Sequence, residues 1–363
     1  MICTDDSGAT WKKYKTQLIS SFRSKQAPYH ACFELTPLCN FNCNMCYVHL
    51  TKSQLGTRKL MSGEQWNEFG RQAVKAGLVE LSITGGEALT HPDFRQIYDA
   101  LYRMGLLITL RTNGYLLTEE LVEWFKTRKP HKIQVSFYGA CDETYQKVCG
   151  VKDGFTVVSR NLERLKENGI PLRTTMTVTS ENEAEVQQLW EWAKEHQIAF
   201  SPYFGLFQPF ENTGRKNAHL RSLQNQTIKA ADFSEQETDQ APVKEETFSA
   251  FRSCTLYGAQ FTITWDGKMT PCTGVPYMWV DPFSEPLKDA FVHLNEKVEA
   301  FRRPKECWNC KFQSFCQSCP SSYRIENGVA KLQDSDCCDR ARYRYQQALL
   351  KTAEAEKQNE TET

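Results

Sequence analysis

The sequence has no excess of either charge. Its 44 lysines and arginines are matched by 44 aspartates and glutamates, so no net field draws it to nucleic acid or to an anionic membrane. No apolar run approaches the roughly 18 to 20 residues that span a bilayer. The start, Met1-Ile2-Cys3-Thr4-Asp5-Asp6, lacks the basic and then apolar stretches of a secretory signal, so export is not expected. There is no internal repeat. These absences exclude a helical membrane protein and leave a cytoplasmic globular chain as the expectation. With 40% hydrophobic residues over 363 positions, it can bury a sizeable core in one or two domains.

What it has in quantity is cysteine, 15 in all. A secreted disulfide scaffold would be short and cysteine-dense throughout. Here a tight triplet sits early and eight cysteines follow residue 250. In a compartment that keeps thiols reduced, such clustering means metal or iron–sulfur ligation. Cys3, Cys32, Cys141 and Cys149 stand outside the clusters and read as small apolar residues.

Residues 31–205 alternate β-rich and helical runs. The strands are expected at Ala31–Thr36, Val79–Thr84, Leu106–Arg111, Ile133–Phe137, Leu172–Val178 and Ile198–Tyr203. Helical stretches include Ser62–Ala76, Thr118–Lys126 and Phe155–Asn168, the last closed by Asn168-Gly169 with Pro171 beyond. This spacing predicts an α/β fold with a parallel sheet, a partial (β/α)6 barrel of the TIM type, with reactive groups on the loops after the strands. Residues 1–30 form an N-terminal extension. Residues 206–250 read as a linker or insertion, polar from Asn225 to Glu246. Residues 251–345 are Cys-rich and loopy, with one hairpin signal at Phe261-Thr262-Ile263-Thr264 before Trp265-Asp266-Gly267-Lys268. A final helix is expected from Asp339 to Ala355; its end and a disordered tail, Lys357 to Thr363, make up the C-terminal stretch 346–363.

Just after the first strand stands Cys39-Asn40-Phe41-Asn42-Cys43-Asn44-Met45-Cys46, a CxxxCxxC. Three thiolates on one loop can wrap an iron–sulfur cubane and leave its fourth iron open to a small molecule. They can also make a zinc knuckle, with His49 as fourth ligand. The second strand ends in Thr84-Gly85-Gly86-Glu87, the third in Thr112-Asn113-Gly114, the fourth in Ser136. Glycines there admit close backbone approach to a ligand, and Glu87 can accept from an ammonium.

Together these motifs resemble those of the radical S-adenosylmethionine (SAM) enzymes. The resemblance implies that Cys39, Cys43 and Cys46 are the catalytic cysteines, holding a 4Fe–4S cluster whose open iron takes the SAM amine and carboxylate. It implies Gly85, Gly86 and Glu87 at the amino group, Ser136 at the ribose or carboxylate, and the backbone at Met45, where relatives usually carry an aromatic residue, near adenine. Arg173 on the fifth strand is either a partner for the SAM carboxylate or a surface ion-pair residue.

The later cysteines run Cys254, Gly267, Cys272, then Cys307-x2-Cys310-x5-Cys316-x2-Cys319, then Cys337-Cys338. Alone, the central pair of CxxC motifs would read as a zinc ribbon. The spacing also resembles the SPASM domain of radical SAM enzymes, with a last gap of two instead of three. That likeness implies two auxiliary 4Fe–4S clusters, hence three in all. One would take Cys254, Cys272 and Cys319; the other Cys307, Cys310, Cys316 and Cys338. Some relatives carry a further cysteine about six residues after the first, where this chain reads Gly258-Ala259-Gln260-Phe261. The first auxiliary cluster is thus either open at one iron or closed by another residue such as Cys337.

By this resemblance the chain reductively cleaves SAM to methionine and a 5′-deoxyadenosyl radical, and oxidatively cross-links or otherwise matures a peptide. A flavodoxin or ferredoxin would be the reductant. A leader peptide would bind the barrel or a separate small protein, because only 30 residues precede the first strand. Sulfatase maturases commonly carry Asp after the cysteine matching Cys272, where this chain has Thr273, which counts against that activity. The rivals are a small-molecule radical SAM dehydrogenase and a non-catalytic zinc protein.

Overall fold

The structure, a computed structural model, describes residues 7–207, 209, 220, 249–252, 254–316, 319–326, 329–332, 338–339 and 341–350. The polar segment Asn225–Glu246, Cys337 and the tail Lys357–Thr363 lie outside the described residues. The chain divides into two compact units, Met1–Asn225 with Thr255–Lys297, and Gln226–Cys254 with Val298–Thr363.

The first unit is built on an eight-stranded sheet. Its strands are β1 (His30–Glu34), β2 (Glu80–Thr84), β3 (Leu107–Thr112), β4 (Lys132–Ser136), β5 (Leu172–Thr177), β6 (Ala199–Tyr203), β7 (Gln260–Ile263) and β8 (Met269–Thr270). Their order is β6-β5-β4-β3-β2-β1-β7-β8. Strands β1 to β6 pair in parallel with their sequence neighbours, each return made through a helical crossover. All six expected strands are present, with ends shifted by a residue or two. The helices Gly63–Lys75, Glu119–Thr127 and Gly154–Glu167 also stand where expected. Ser62 starts the first of them with a capping box to Gln65, which satisfies two otherwise unpaired amides. Gly169, at φ 62°, closes the third.

Alternation along each strand sorts the side chains into two layers. Ala31, Phe33, Leu81, Ile83, Ile108, Leu110, Ile133 and Val135 are buried under the helices, Phe33 meeting Trp66 at 5.1 Å between ring centroids. The opposite face is polar and lines the barrel lumen. Glu34 shares that face with His30 and Cys32. Burial and the charge of Asp266 push its pKa from 4.5 up to about 8. Folding therefore holds the Glu34 proton more tightly than the unfolded chain does. Stability falls as pH rises through this window, and the full cost stands above pH 8. Glu34→Gln, which imitates the protonated acid, should stabilise the protein by a few kcal/mol, as an order of magnitude, at pH 9 and by far less at pH 5. Urea unfolding at the two pH values checks this, and equal effects at both would contradict it.

The division of the chain differs from the expected boundary at residue 251. Strand β7 pairs in parallel with β1, from His30↔Gln260 to Phe33↔Ile263, and so extends the barrel sheet. The Asp-Gly hairpin is there, with β8 antiparallel to β7 and Gly267 at φ 84° in the turn, but it belongs to the barrel unit. The stretch read as loopy also contains a 14-residue helix, Leu287–Ala300, whose Leu287, Ala290, Phe291, Leu294 and Val298 are buried. The N-terminal extension is largely one helix, Ser7–Ser24. Its Ile19 packs with Tyr29 and Ala259, and its Lys15 pairs with Glu80 at 2.8 Å, at the N-terminal end of the barrel strands.

The second unit has a small core of Ala250, Tyr323 and Ala330 backed by Phe301 and Leu332. Its hairpin pairs β9 (Tyr323–Glu326) with β10 (Val329–Leu332). Residues 341–350 are helical, and Tyr345 sits between Phe312 and Phe315 at 5.5 and 5.4 Å. Among the described residues, no helix is long and apolar enough to cross a membrane.

Candidate active site

The loop that follows β1 extends the sheet by one more bond, Leu35 N–H to Thr84 C=O. It then runs against the loop that follows β2. Gly86 N–H donates to Thr36 C=O at 2.6 Å and Glu87 N–H to Leu38 C=O at 2.9 Å. A Cβ on Gly85 would lie 2.5 Å from the Thr36 oxygen, and one on Gly86 2.4 Å from that of Leu38. The close approach these glycines permit is thus, first of all, to the backbone that leads into Cys39.

Beyond Leu38 the cysteine loop is pinned to the end of the helix Asp142–Cys149. Asn42 N–H donates to Cys149 C=O and Asn44 N–H to Val148 C=O, each at 2.9 Å. Phe41 packs edge-on against Tyr115 and Tyr145. Cys43 and Met45 are buried, while Cys39 and Cys46 are partly exposed. Backbone amides point at two of the sulfurs, Phe41 N–H at Cys39 Sγ and His49 N–H at Cys46 Sγ, both at 3.3 Å. Burial raises the pKa of the Cys39 thiol well above its ordinary value, and the charges of Glu87, Cys43 and Cys46 raise it further. Three thiolates in this setting need a cationic partner, and the amides aimed at sulfur suit an iron–sulfur cluster. The donor set fits. A zinc knuckle would need a fourth ligand closed with these three around one ion.

Glu87 does not stand open at the strand end. It is 1% exposed, and both of its carboxylate oxygens are taken by the chain itself. Thr112 Oγ1 donates to each at 2.9 Å, Asn113 N–H to Oε2 at 2.7 Å and Leu89 N–H to Oε1 at 3.0 Å. Burial pushes its pKa up to about 7 against the pull of these bonds. Asn113 passes the contact on, its amide donating to Asn40 Oδ1 at 2.8 Å and lying 3.7 Å from Cys39 Sγ. Glu87 thereby ties the loops after β1, β2 and β3 into one unit.

Ser136, at the end of β4, hydrogen-bonds Tyr138, a phenol whose pKa is raised by burial and by the nearby Cys43 and Cys46. Tyr138 is a residue that sequence reasoning missed, although it leaves β4 only two positions after Ser136. Arg173 faces the lumen one layer lower, in register with Gln134, whereas Ser136 is in register with Thr175. Its guanidinium donates to Ser201 at 2.6 Å, it forms no ion pair among the described residues, and its Nε is buried without a partner.

In the second unit burial first, and then the charges of the nearby Cys316 and Cys338, push the Cys307 thiol up to about 12. Cys310 follows in the same turn, its N–H on Cys307 C=O. Cys254 and Cys319 are partly exposed in this unit, and Cys272 belongs to the barrel unit.

Residues 33–193 match the sequence model of the Radical SAM superfamily. The chain is 26% identical over 306 residues to the antilisterial bacteriocin subtilosin biosynthesis protein AlbA of Bacillus subtilis, covering 80% of this chain and 67% of that protein. It is 25% identical over 335 residues to the AdoMet-dependent heme synthase of Methanosarcina barkeri, covering 81% of this chain and 91% of that one. The crystal structure of Streptococcus suis SuiB bound to its precursor peptide SuiA shares the fold, with a TM-score of 0.64 and 18% identity over 92% of this chain and 82% of that one.

Proposed function

We propose, from the match of residues 33–193 to the Radical SAM superfamily, that the chain is an enzyme of that superfamily that uses SAM to modify a peptide oxidatively. One observation carries the site: the CxxxCxxC loop, the Gly-Gly-Glu loop and the Asn113 loop are hydrogen-bonded together at the C-terminal edge of the parallel strands, where a β/α barrel places its chemistry. Relatives concerned with subtilosin biosynthesis and with a precursor peptide support the peptide substrate.

Cys39, Cys43 and Cys46 would hold a 4Fe–4S cluster, and the loops after β2 and β4 would receive SAM. When bound, the cluster supplies the electron that cleaves SAM to a 5′-deoxyadenosyl radical able to abstract hydrogen from an unactivated carbon. The chain's own part is to bind, align and keep water away. Phe41 and Met45 wall the cysteine loop with apolar surface, and Asn113 fixes the orientation of Cys39. Cys307, Cys310, Cys316 and Cys338 would hold an auxiliary cluster, which would supply an acceptor for the electron left after abstraction. A flavodoxin or ferredoxin would deliver the first electron. The heme synthase, matched over 91% of its length, supports a second reading in which the substrate is a small molecule.

Glu87→Gln tests the site. The amide would place a donor against Leu89 N–H or Asn113 N–H, at a cost of about 1 to 3 kcal/mol. SAM affinity should fall roughly tenfold while cluster iron is kept, and Asn113→Ala should weaken SAM binding likewise, because Glu87 acts through that loop. Unchanged SAM affinity in both variants would return these residues to a purely local role.

A further inference from the structure

Below the layer of Ser136 and Glu87, the barrel lumen holds a cavity of about 290 Å³ within the first unit. It is lined by β1 to β4 and β7 and, outside the strands, by Leu256, Cys272 and Thr273, and its charged walls are Arg111 on β3, Lys132 on β4 and Glu80 on β2. The acid is already matched from outside, since Glu80 accepts from Lys15 Nζ at 2.8 Å and from Tyr29 Oη at 2.7 Å. Glu80 attracts Lys132 as well, without an ion pair between them. Among the described residues neither Arg111 nor Lys132 forms an ion pair. Arg173 adds a third positive charge through Gln134, which is in register with both arginines.

These like charges oppose one another. Arg173 and Arg111 both hold the Lys132 pKa below its ordinary value, after desolvation. Arg111 does the same to Arg173 and to His30. His30, on the cavity wall, is pushed down to about 4 and stays neutral. Its Nε2 meets Ser82 Oγ at 3.0 Å, and its Nδ1 is buried with no partner. Thr273, at the wall beside Cys272, adds a hydroxyl and no charge. Unpaired cations in a low-dielectric cavity are costly, and an entering anion removes that cost.

We propose that this cavity is a carboxylate-binding subsite for the substrate, in which Arg111 and Lys132 hold an acidic side chain or the C-terminal carboxylate of the peptide. The inference rests on the peptide reading above. A volume near 290 Å³ admits one side chain or one chain end, not a whole peptide. Arg111 presents the planar fork that pairs with a carboxylate in two bonds. Held there, the acidic group would anchor the peptide below the radical site and set which of its carbons lies above.

Equilibrium binding to the anaerobic holoenzyme tests this without turnover. The probes are acetyl-Gly-Asp-Gly-amide, acetyl-Gly-Gly-Gly with a free C-terminus, acetyl-Gly-Asn-Gly-amide and inorganic phosphate. At least one carboxylate peptide should bind ten times more tightly than the asparagine peptide, and which one does so identifies the source of the carboxylate. Arg111→Gln should weaken that binding at least tenfold, Lys132→Met should weaken it as well, and Arg111→Lys should retain most of it. Equal binding of all three peptides, or no binding, would overturn the proposal. Tighter binding of phosphate than of either carboxylate peptide would overturn it too, and so would a parallel loss of SAM affinity in Arg111→Gln. Because no outcome depends on SAM cleavage, failure here is distinct from failure of the peptide-modifying reading.

Discussion

Replacing Cys39, Cys43 and Cys46 together by alanine is expected to remove about four of about twelve irons per chain and to abolish SAM cleavage altogether. Iron and sulfide analysis of anaerobically purified protein reads the first effect; chromatography for 5′-deoxyadenosine reads the second. The expected loss is complete because the three thiols share one loop, with amides already aimed at Cys39 and Cys46. The remaining cysteines of the described residues are placed otherwise. Cys307, Cys316 and Cys338 gather in the second unit, so the iron of the auxiliary cluster proposed there should survive the triple change. If the variant still made 5′-deoxyadenosine, the assignment of the catalytic loop would be wrong.

The second large effect is expected from a single methyl group. Gly86→Ala would put a Cβ 2.4 Å from the Leu38 oxygen and 2.7 Å from that of Pro37. Both are backbone atoms that cannot rotate away. The loop leading into Cys39 must move, and a displacement of an ångström at a reacting centre costs on the order of a hundredfold in rate. SAM cleavage should fall by about that factor or more, with partial loss of cluster iron. Gly105→Ala is the control. Gly105 has a positive φ, 81°, but a Cβ added there would meet nothing within 4 Å. It should cost about 1 kcal/mol of stability and leave SAM cleavage intact. Equal effects of the two changes would show that the Gly86 contact does not govern the site.

The strands were legible because period-two burial and short β-branched runs are local signals, and Ala31, Phe33, Leu81, Ile83, Ile108 and Leu110 carry them plainly. The place of β7 was not legible. Its pairing with β1 joins residues some 230 positions apart, and four residues reading Gln-Phe-Thr-Ile do not announce their neighbour. The helix Leu287–Ala300 carries its apolar stripe, Leu287, Ala290, Phe291, Leu294 and Val298, at helical spacing, so this element was legible in the sequence. At the site, the glycines and Glu87 were visible as a motif, and their partners were not. The carboxylate's donors come from Thr112 and Asn113, 25 and 26 residues on, and the glycines face Thr36 to Leu38. Only folding shows that residues expected to touch a ligand first hold one another.

Incubation of the reduced enzyme with SAM and a short peptide encoded by a neighbouring gene, with both products followed by mass spectrometry, decides whether this is a peptide-modifying enzyme. 5′-Deoxyadenosine should form in step with a peptide lighter by two hydrogens for each cross-link made. An unchanged peptide, with 5′-deoxyadenosine formed only when a small molecule such as a porphyrin is supplied and consumed, would contradict it.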